Sequence, residues 1–366
     1  MQSNTNVSNT IVKRTARGLI QVAVLAGLVG AAWIPSAFAA PLAPGDEQVS
    51  TLEAQAREAW RGDMAHNIAP PAAGCFEASY PSINWKQVGC NLAPPRVHPI
   101  FHRTPSGRAF TAGAGQTTGN GNDYALKSST LISSTVGTFP SVTGVTSEKG
   151  VGVAAFGGGG ILGANEYTLQ INSNITSTTS ACNGHSGCVV WQQFIYSPDY
   201  NTNGVAAAFM QYWLIGYGGT TCPSGFGSDG SGDCYKNSAA VSAPDVPATQ
   251  LANLKLSGTV VSGGNDTVVF TNGTKAYTVT GKDSVLKIAT VWKESEFNVV
   301  GNAGGSEADF NSGSKVTVKV AATNGSTAAP SCASNDGTTG ETNNLTLGSC
   351  SASSGSTPSI QFTESN

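Results

Sequence analysis

Two short stretches of this chain hold the residue types that peptide hydrolysis needs. The first is Trp292-Lys293-Glu294-Ser295-Glu296-Phe297-Asn298-Val299. At the two-residue period of a strand, Trp292, Glu294, Glu296 and Asn298 fall on one face, and Phe297 and Val299 fall on the other. Charged residues make up 11% of the sequence. Two carboxylates beside an indole, opposite an apolar face, therefore read as a groove rather than a solvated edge. The second stretch is Phe209-Met210-Gln211-Tyr212-Trp213-Leu214-Ile215, in which Phe209, Gln211, Trp213 and Ile215 share a face. Trp191-Gln192-Gln193-Phe194-Ile195-Tyr196 is a similar strand of amides among aromatics. Three readings are open to such faces. One is packing in which a Gln satisfies polar neighbours, and another is a sugar site of aromatic platforms beside amides and acids. The third is catalysis: a carboxyl partly withdrawn from water takes a proton from water and returns it to a leaving amine, while a fixed Gln amide donates to the oxyanion.

Other motifs favour structural readings. Phe156-Gly157-Gly158-Gly159-Gly160 lacks the Gly-Lys-Ser/Thr and the helix of a phosphate loop, so it reads as a turn. His185 sits in the tight loop Cys182–Cys188 with no nucleophile elbow, which argues against a Ser–His–Asp arrangement. The loop from Cys222 to Cys234 carries Asp229 and Asp233 without the ligand alternation of calcium loops. With no CxxC pair and no His-rich cluster, neither a metal nor another cofactor is expected.

Compartment follows from the N-terminus and the cysteines. Lys13, Arg14 and Arg17 precede an apolar run over 19–33, and Ala37-Phe38-Ala39 supplies a small-x-small cleavage site, so residues 1–39 read as a secretory signal peptide. After its removal no membrane span is expected, and the chain is placed as a secreted, periplasmic or extracellular monomer. Its eight cysteines then imply disulfides, and their grouping favours Cys75–Cys90, Cys182–Cys188, Cys222–Cys234 and Cys332–Cys350. A net charge of −3, with Arg108 the last arginine, lacks the basic stripe of a nucleic-acid binder.

The elements that must position these residues are mostly strands. Residues 40–121 form a Pro-rich N-terminal extension or pro-segment, with one helical signal over 48–64 (Leu52, Ala56, Trp60), three of the four histidines (His66, His98, His102) and a Gly/Thr/Asn-rich linker over 111–122. Residues 122–366 read as one all-β domain. Strands are predicted over 125–134, 150–156, 167–172, 189–196, 209–217, 251–261, 315–322 and 358–363. A hairpin over 266–279 turns at Asn272-Gly273. For 285–291, β-branched residues argue against a helix. The fold class is a two-sheet antiparallel β-sandwich.

At this point the chain resembles the eqolisins, glutamic peptidases on a legume-lectin-like (concanavalin-type) jelly-roll sandwich. Ala208-Phe209-Met210-Gln211 is similar to the family's Gln strand. About 85 residues later, Trp292 to Phe297 is similar to its aromatic-then-Glu strand, and Glu307-Ala308-Asp309-Phe310 follows. The resemblance covers 189–320, without the family's glycine-rich segment after the first Trp strand in clean form and with the 222–234 loop placed differently. It implies an exported, acid-acting endopeptidase with Glu296 as general base and acid, Glu294 as the fallback, and Gln211 as oxyanion donor. Trp213, Trp292, Phe209 and Asn298 would line the substrate site. A noncatalytic carbohydrate-binding protein using Trp213 and Trp292, or a structural surface protein, would use the same fold, so the expected partner is a polypeptide or a glycan.

Overall fold

The two-residue alternation along the β part of the chain becomes two sheets closing on a shared core. The structure, a computed structural model, describes residues 51–94, 121–154, 157–199, 206–218, 221–230, 232–336 and 340–366. The expected signal peptide, the linker up to residue 120, and His98 and His102 lie outside the described residues. Among the described residues, the first sheet runs β2 (Lys86–Val88), β1 (Cys75–Ser79), β15 (Lys275–Lys282), β14 (Asn265–Asn272), β13 (Leu254–Thr259), β5 (Ser134–Thr143), β18 (Lys315–Thr323), β22 (Ser359–Ser365), β21 (Thr346–Ser353). The second runs β11 (Gly227–Ser228), β12 (Cys234–Ser242), β10 (Ala207–Ile215), β9 (Val189–Ser197), β8 (Tyr167–Ser173), β16 (Glu294–Gly301), β4 (Gly121–Lys127), β19 (Ser331–Asp336). β3 (Asn91–Leu92) adds to β12. A small third sheet holds β20 (Thr342–Asn343), β17 (Ser306–Phe310), β6 (Glu148–Gly152) and β7 (Gly163–Ala164). This is the antiparallel two-sheet sandwich that the alternation predicts.

The core takes Leu256, Val268, Phe270, Val318 and Phe362 from the first sheet and Val190, Phe194, Tyr196, Met210 and Leu214 from the second. Tyr196 stacks on Phe270 with ring centroids 3.7 Å apart. Three aromatic side chains of the second sheet lie where the first sheet has glycine. A Cβ at Gly137 would lie 2.1 Å from the Phe297 ring, one at Gly258 2.5 Å from Phe194, and one at Gly281 2.0 Å from the Tyr212 hydroxyl. No side chain larger than hydrogen fits under these rings without moving the sheets apart.

The four cysteine pairs form as their grouping predicts, Cys75–Cys90, Cys182–Cys188, Cys222–Cys234 and Cys332–Cys350. The predicted helix is α1 (Thr51–His66), with Trp60, Met64 and Ala65 buried. Trp60 packs edge-on to Tyr80 and donates its indole N–H to Ser82 O. The N-terminal region is stitched to both large sheets: β1 pairs with β15, and β3 pairs with β12. Without β1, the β15 strand would present a bare edge. The hairpin turn is shifted by one residue from the Asn-Gly reading. Asn272 pairs with Lys275, so Gly273 and Thr274 form the loop, with Gly273 at φ +56° in the first position, where a type II′ turn takes glycine.

The stretch 285–291 differs from its strand-like expectation. It holds two 3₁₀ turns, Asp283–Val285 and Ile288–Thr290. The Asp283 carboxylate accepts from the backbone N–H of Gly263 and Ala289, which satisfies donors that a ladder would otherwise use. β16 therefore starts at Glu294, and Trp292 lies outside it.

Three buried carboxyls favour their protonated forms. Burial pushes Glu364 up to about 8, against the lowering effect of hydrogen bonds from Asn298 and Asn343. Burial, then the charges of Glu166 and Asp309, push Glu148 up to about 8. Burial raises Asp266 to about 7, with Gln192 pulling the other way. A carboxyl whose folded pKa exceeds its unfolded value of about 4 stabilises the fold fully below the unfolded value, and that stabilisation is lost as pH rises through the folded one. Melting temperature should therefore be highest in acid and fall between about pH 4 and pH 8, and Glu364→Gln should flatten that fall. A melting temperature that climbs from acid to neutral pH would contradict this. Gly137→Ala should lower unfolding free energy by roughly 1–3 kcal/mol, read from the denaturant midpoint. An unchanged midpoint would mean that Phe297 does not depend on that seat.

Candidate active site

Because Ile171, Phe194, Tyr212 and Phe297 point into the core, their neighbours Asn172, Gln193, Gln211 and Glu296 point to the other face of the second sheet. Register then lines them up. Asn237 pairs with Gln211, Gln211 with Gln193, Gln193 with Asn172, and Asn172 with Glu296, on β12, β10, β9, β8 and β16. On one side of this polar row lie Trp213, directly opposite Trp191, and Glu294, opposite Lys127. On the other side Phe209 is opposite Ile195, Ile195 opposite Gln170, and Gln170 opposite Asn298. The result is a floor of amides ending in a carboxylate, flanked by an indole pair and an apolar cluster.

Hydrogen bonds run through the floor. Gln211 Nε2 donates to Asn237 Oδ1 at 2.8 Å, and Trp213 Nε1 donates to both Gln211 Oε1 at 2.9 Å and Gln193 Oε1 at 3.0 Å. Gln193 Nε2 donates to Gln170 Oε1 at 2.9 Å, which also accepts from Asn172 Nδ2 at 3.3 Å. Asn172 Nδ2 reaches Glu296 Oε2 at 2.8 Å. Each amide is thus oriented by its neighbours, and Gln170, Asn172, Gln193, Gln211 and Glu296 are all fully buried. Two buried atoms of the floor, Asn172 Oδ1 and Trp191 Nε1, have no hydrogen-bond partner among the described residues. One is an acceptor and the other a donor, the pair of functions that a peptide backbone complements.

The predicted site residues separate on this geometry. Gln211 and Glu296 share the floor, but β9 and β8 stand between their strands. Three inter-strand spacings of about 4.8 Å put their backbones roughly 14 Å apart. Gln193, on the strand next to Gln211, is nearer: the shared acceptor Gln170 Oε1 and the Asn172 amide link it to Glu296. Gln193 lay in an amide-rich strand evident from the sequence, yet only strand order places it nearer than Gln211 to Glu296.

Trp292 is not on the floor. It belongs to the inner core, stacked on Phe194 with centroids 5.7 Å apart, and donates to Glu294 O. The turn before β16 rotates it out of the alternation that the strand reading assumed. Trp213 faces the opposite side, beside Trp191 at 6.3 Å and Tyr235 at 5.4 Å. Phe209 is on the floor in a buried cluster with Ile195, Ala207 and Ala240. Asn298 donates to Glu364 Oε2 at 3.4 Å, and its own amide oxygen accepts from Val299 N. Glu294 Oε1 is 2.7 Å from Lys127 Nζ.

The residues set aside earlier have structural partners. His185 stacks on Tyr217 at 3.8 Å. Asp233 accepts from Gly216 N just before the pinned loop, and Asp229 accepts from Asp233 N within it. Among the described residues, no group of three or more His, Cys, Asp or Glu side chains is arranged to hold a metal ion. No helix among them is long and apolar enough to cross a membrane.

No family model and no curated protein sequence matches the chain. Solved structures of glutamic peptidases are similar to it at low identity. A crystal structure of scytalido-glutamic peptidase with a peptide-based transition-state analogue is 13% identical, spans 68% of this chain and 98% of its own, and has a TM-score of 0.27. A member of the eqolisin family in complex with the tripeptide Ala-Ile-His is 12% identical, spans 68% of this chain and 97% of its own, and has a TM-score of 0.26.

Proposed function

We propose that the chain is an exported, acid-acting endopeptidase of the glutamic type, with Glu296 as general base and then general acid. The observation that carries this reading is the cross-strand row in which a buried carboxylate ends a chain of oriented amides. A base needs a fixed orientation, and the Asn172 amide holds one oxygen of Glu296. An oxyanion donor needs an N–H fixed before the reaction, and Gln193 Nε2 is fixed by Gln170 Oε1. We therefore assign the donor role to Gln193, with Gln211 positioning Trp213 and, through it, the Gln193 carbonyl. Water attacks the scissile carbonyl while Glu296 accepts its proton. The oxyanion forms near the Gln193 amide, and the carboxyl so formed then donates that proton to the departing amine.

Glu294 is the weaker candidate for the base because it lies off the amide row, opposite Lys127. The glycan-binding alternative called on Trp213 and Trp292 together, and these lie on opposite faces of the second sheet. The N-terminal region supports a pro-segment role at its described end. Ala93 packs against the Ile195 and Phe209 cluster, and Pro94 O accepts from Asn237 Nδ2 at 3.4 Å. The floor is closed to solvent in the full chain, so activity should appear or rise after acid incubation that cuts the chain between β3 and β4.

The test is cleavage of an unfolded protein substrate from about pH 2 to pH 7, before and after acid incubation. Glu296→Gln should abolish it with the fold intact, and inhibitors of serine, cysteine and metallo-peptidases should have no effect. Gln193→Ala should lower the rate on the order of 10²–10³-fold, the usual loss for one oxyanion donor, and Gln211→Ala much less. The reverse order of those two losses would return the donor role to Gln211. A chain inert at every pH, or a Glu296→Gln variant as active as wild type, would overturn the peptidase reading.

A further inference from the structure

Two residues before Glu296 on the same face of β16, Glu294 pairs with Lys127 of β4. Lys127 lines a cavity of about 330 Å³ together with Ser128, Ser129, Asn324, Ser326 and Ser331, beside the small apolar Ala328, Ala329 and Pro330. Among the described residues lining it, Lys127 is the charged one, and its side chain is 55% exposed. The wall is built rather than loose: Asn324 Nδ2 donates to Ser128 Oγ at 2.8 Å, and Asn324 Oδ1 accepts from Ser326 N at 3.0 Å. Ser326 Oγ accepts in turn from Ala328 N at 3.1 Å. Behind Lys127, the second oxygen of its partner Glu294, Oε2, is buried and has no hydrogen-bond partner among the described residues.

We propose that this cavity is a specificity subsite of the cleft, selecting an acidic side chain two residues from the bond that is cut. The proposal rests on Glu296 being the catalytic base. Glu294 and Glu296 are two residues apart on one strand, about 7 Å. An extended peptide repeats its side chains on one side at the same interval, so a side chain entering the cavity sits two positions from the one over Glu296. The cavity offers an ammonium and hydroxyls to a carboxylate, with small apolar groups against its methylenes. A basic side chain would meet Lys127 as a like charge, and a large aromatic one would meet no ring. The unpartnered Glu294 Oε2 can accept a backbone N–H of the same substrate.

The experiment uses two readouts on the protein after acid incubation, at a pH where glutamate is largely ionised. Fluorescein-labelled peptides carrying Glu, Ala or Lys at each position from four before to four after the cleaved bond are compared for kcat/KM and for binding anisotropy. Wild type should favour Glu over Lys roughly threefold to tenfold at one position, two residues from the cut, and Lys127→Glu should reverse that order there and nowhere else. Binding to the inactive Glu296→Gln variant should show the same preference, so the subsite is judged even if cleavage fails. Equal preferences in wild type and Lys127→Glu at every position, in both readouts, would overturn the subsite. Loss of cleavage with the binding preference retained would instead overturn the role of Glu296.

Discussion

The floor depends on how closely the two sheets approach behind it. Tyr212, Phe194 and Phe297 each follow a member of the polar row, Gln211, Gln193 and Glu296, and each ring is seated over a glycine of the first sheet. Side chains alternate, so seating the ring on one face aims its neighbour on the other. A slip of one residue in β9, β10 or β16 would turn an amide or the carboxylate into the core and an aromatic ring outward. The seats at Gly281, Gly258 and Gly137 forbid that slip by shape, while the inter-sheet hydrogen bond from Gln192 to Asp266 opposes it with a polar contact. Core packing and site geometry are in this sense one constraint.

The same constraint accounts for a site in which polar groups are buried yet ordered. Isolated amides in a sheet face would leave donors unmet at a cost of about 1–3 kcal/mol each. Here the row shares donors and acceptors from Asn237 to Glu296, and Trp213 binds two of the amides at once. The groups with spare capacity, Asn172 Oδ1, Trp191 Nε1 and Glu294 Oε2, are grouped on adjacent positions of the floor. The buried carboxyls elsewhere, Glu148, Asp266 and Glu364, are neutral in acid, where they need no counter-charge.

Much of this architecture was legible in local patterns. Alternation located about half of the strands and missed the long β5, β12 and β21, the pairing of cysteines followed from their grouping, and the hairpin was visible around Asn272-Gly273. Glu294 and Glu296 share a face as the period of two requires, while the Asn298 amide turns to Glu364 of the first sheet. What local patterns do not carry is the order of strands. Gln211 and Glu296 both lie on the floor, but the sequence distance between them contains no sign that β9 and β8 intervene, because that order is set by non-local pairing. Trp292 misled for a different reason. Its spacing continues the alternation of β16, but the 3₁₀ turn held by Asp283 breaks the strand first and drops the ring into the core. Strands β1, β2 and β3, two to five residues long, are too short to show a period at all.

A structure of the acid-incubated protein with a bound peptide aldehyde, whose hydrate mimics the tetrahedral intermediate, tests the central claim most directly. The account predicts the tetrahedral carbon over the middle of the row, with one hydrate oxygen within about 2.6–3.2 Å of a Glu296 carboxylate oxygen and the other within the same reach of Gln193 Nε2. A hydrate centred at Gln211 and remote from Glu296, or a peptide seated away from the floor, would contradict it.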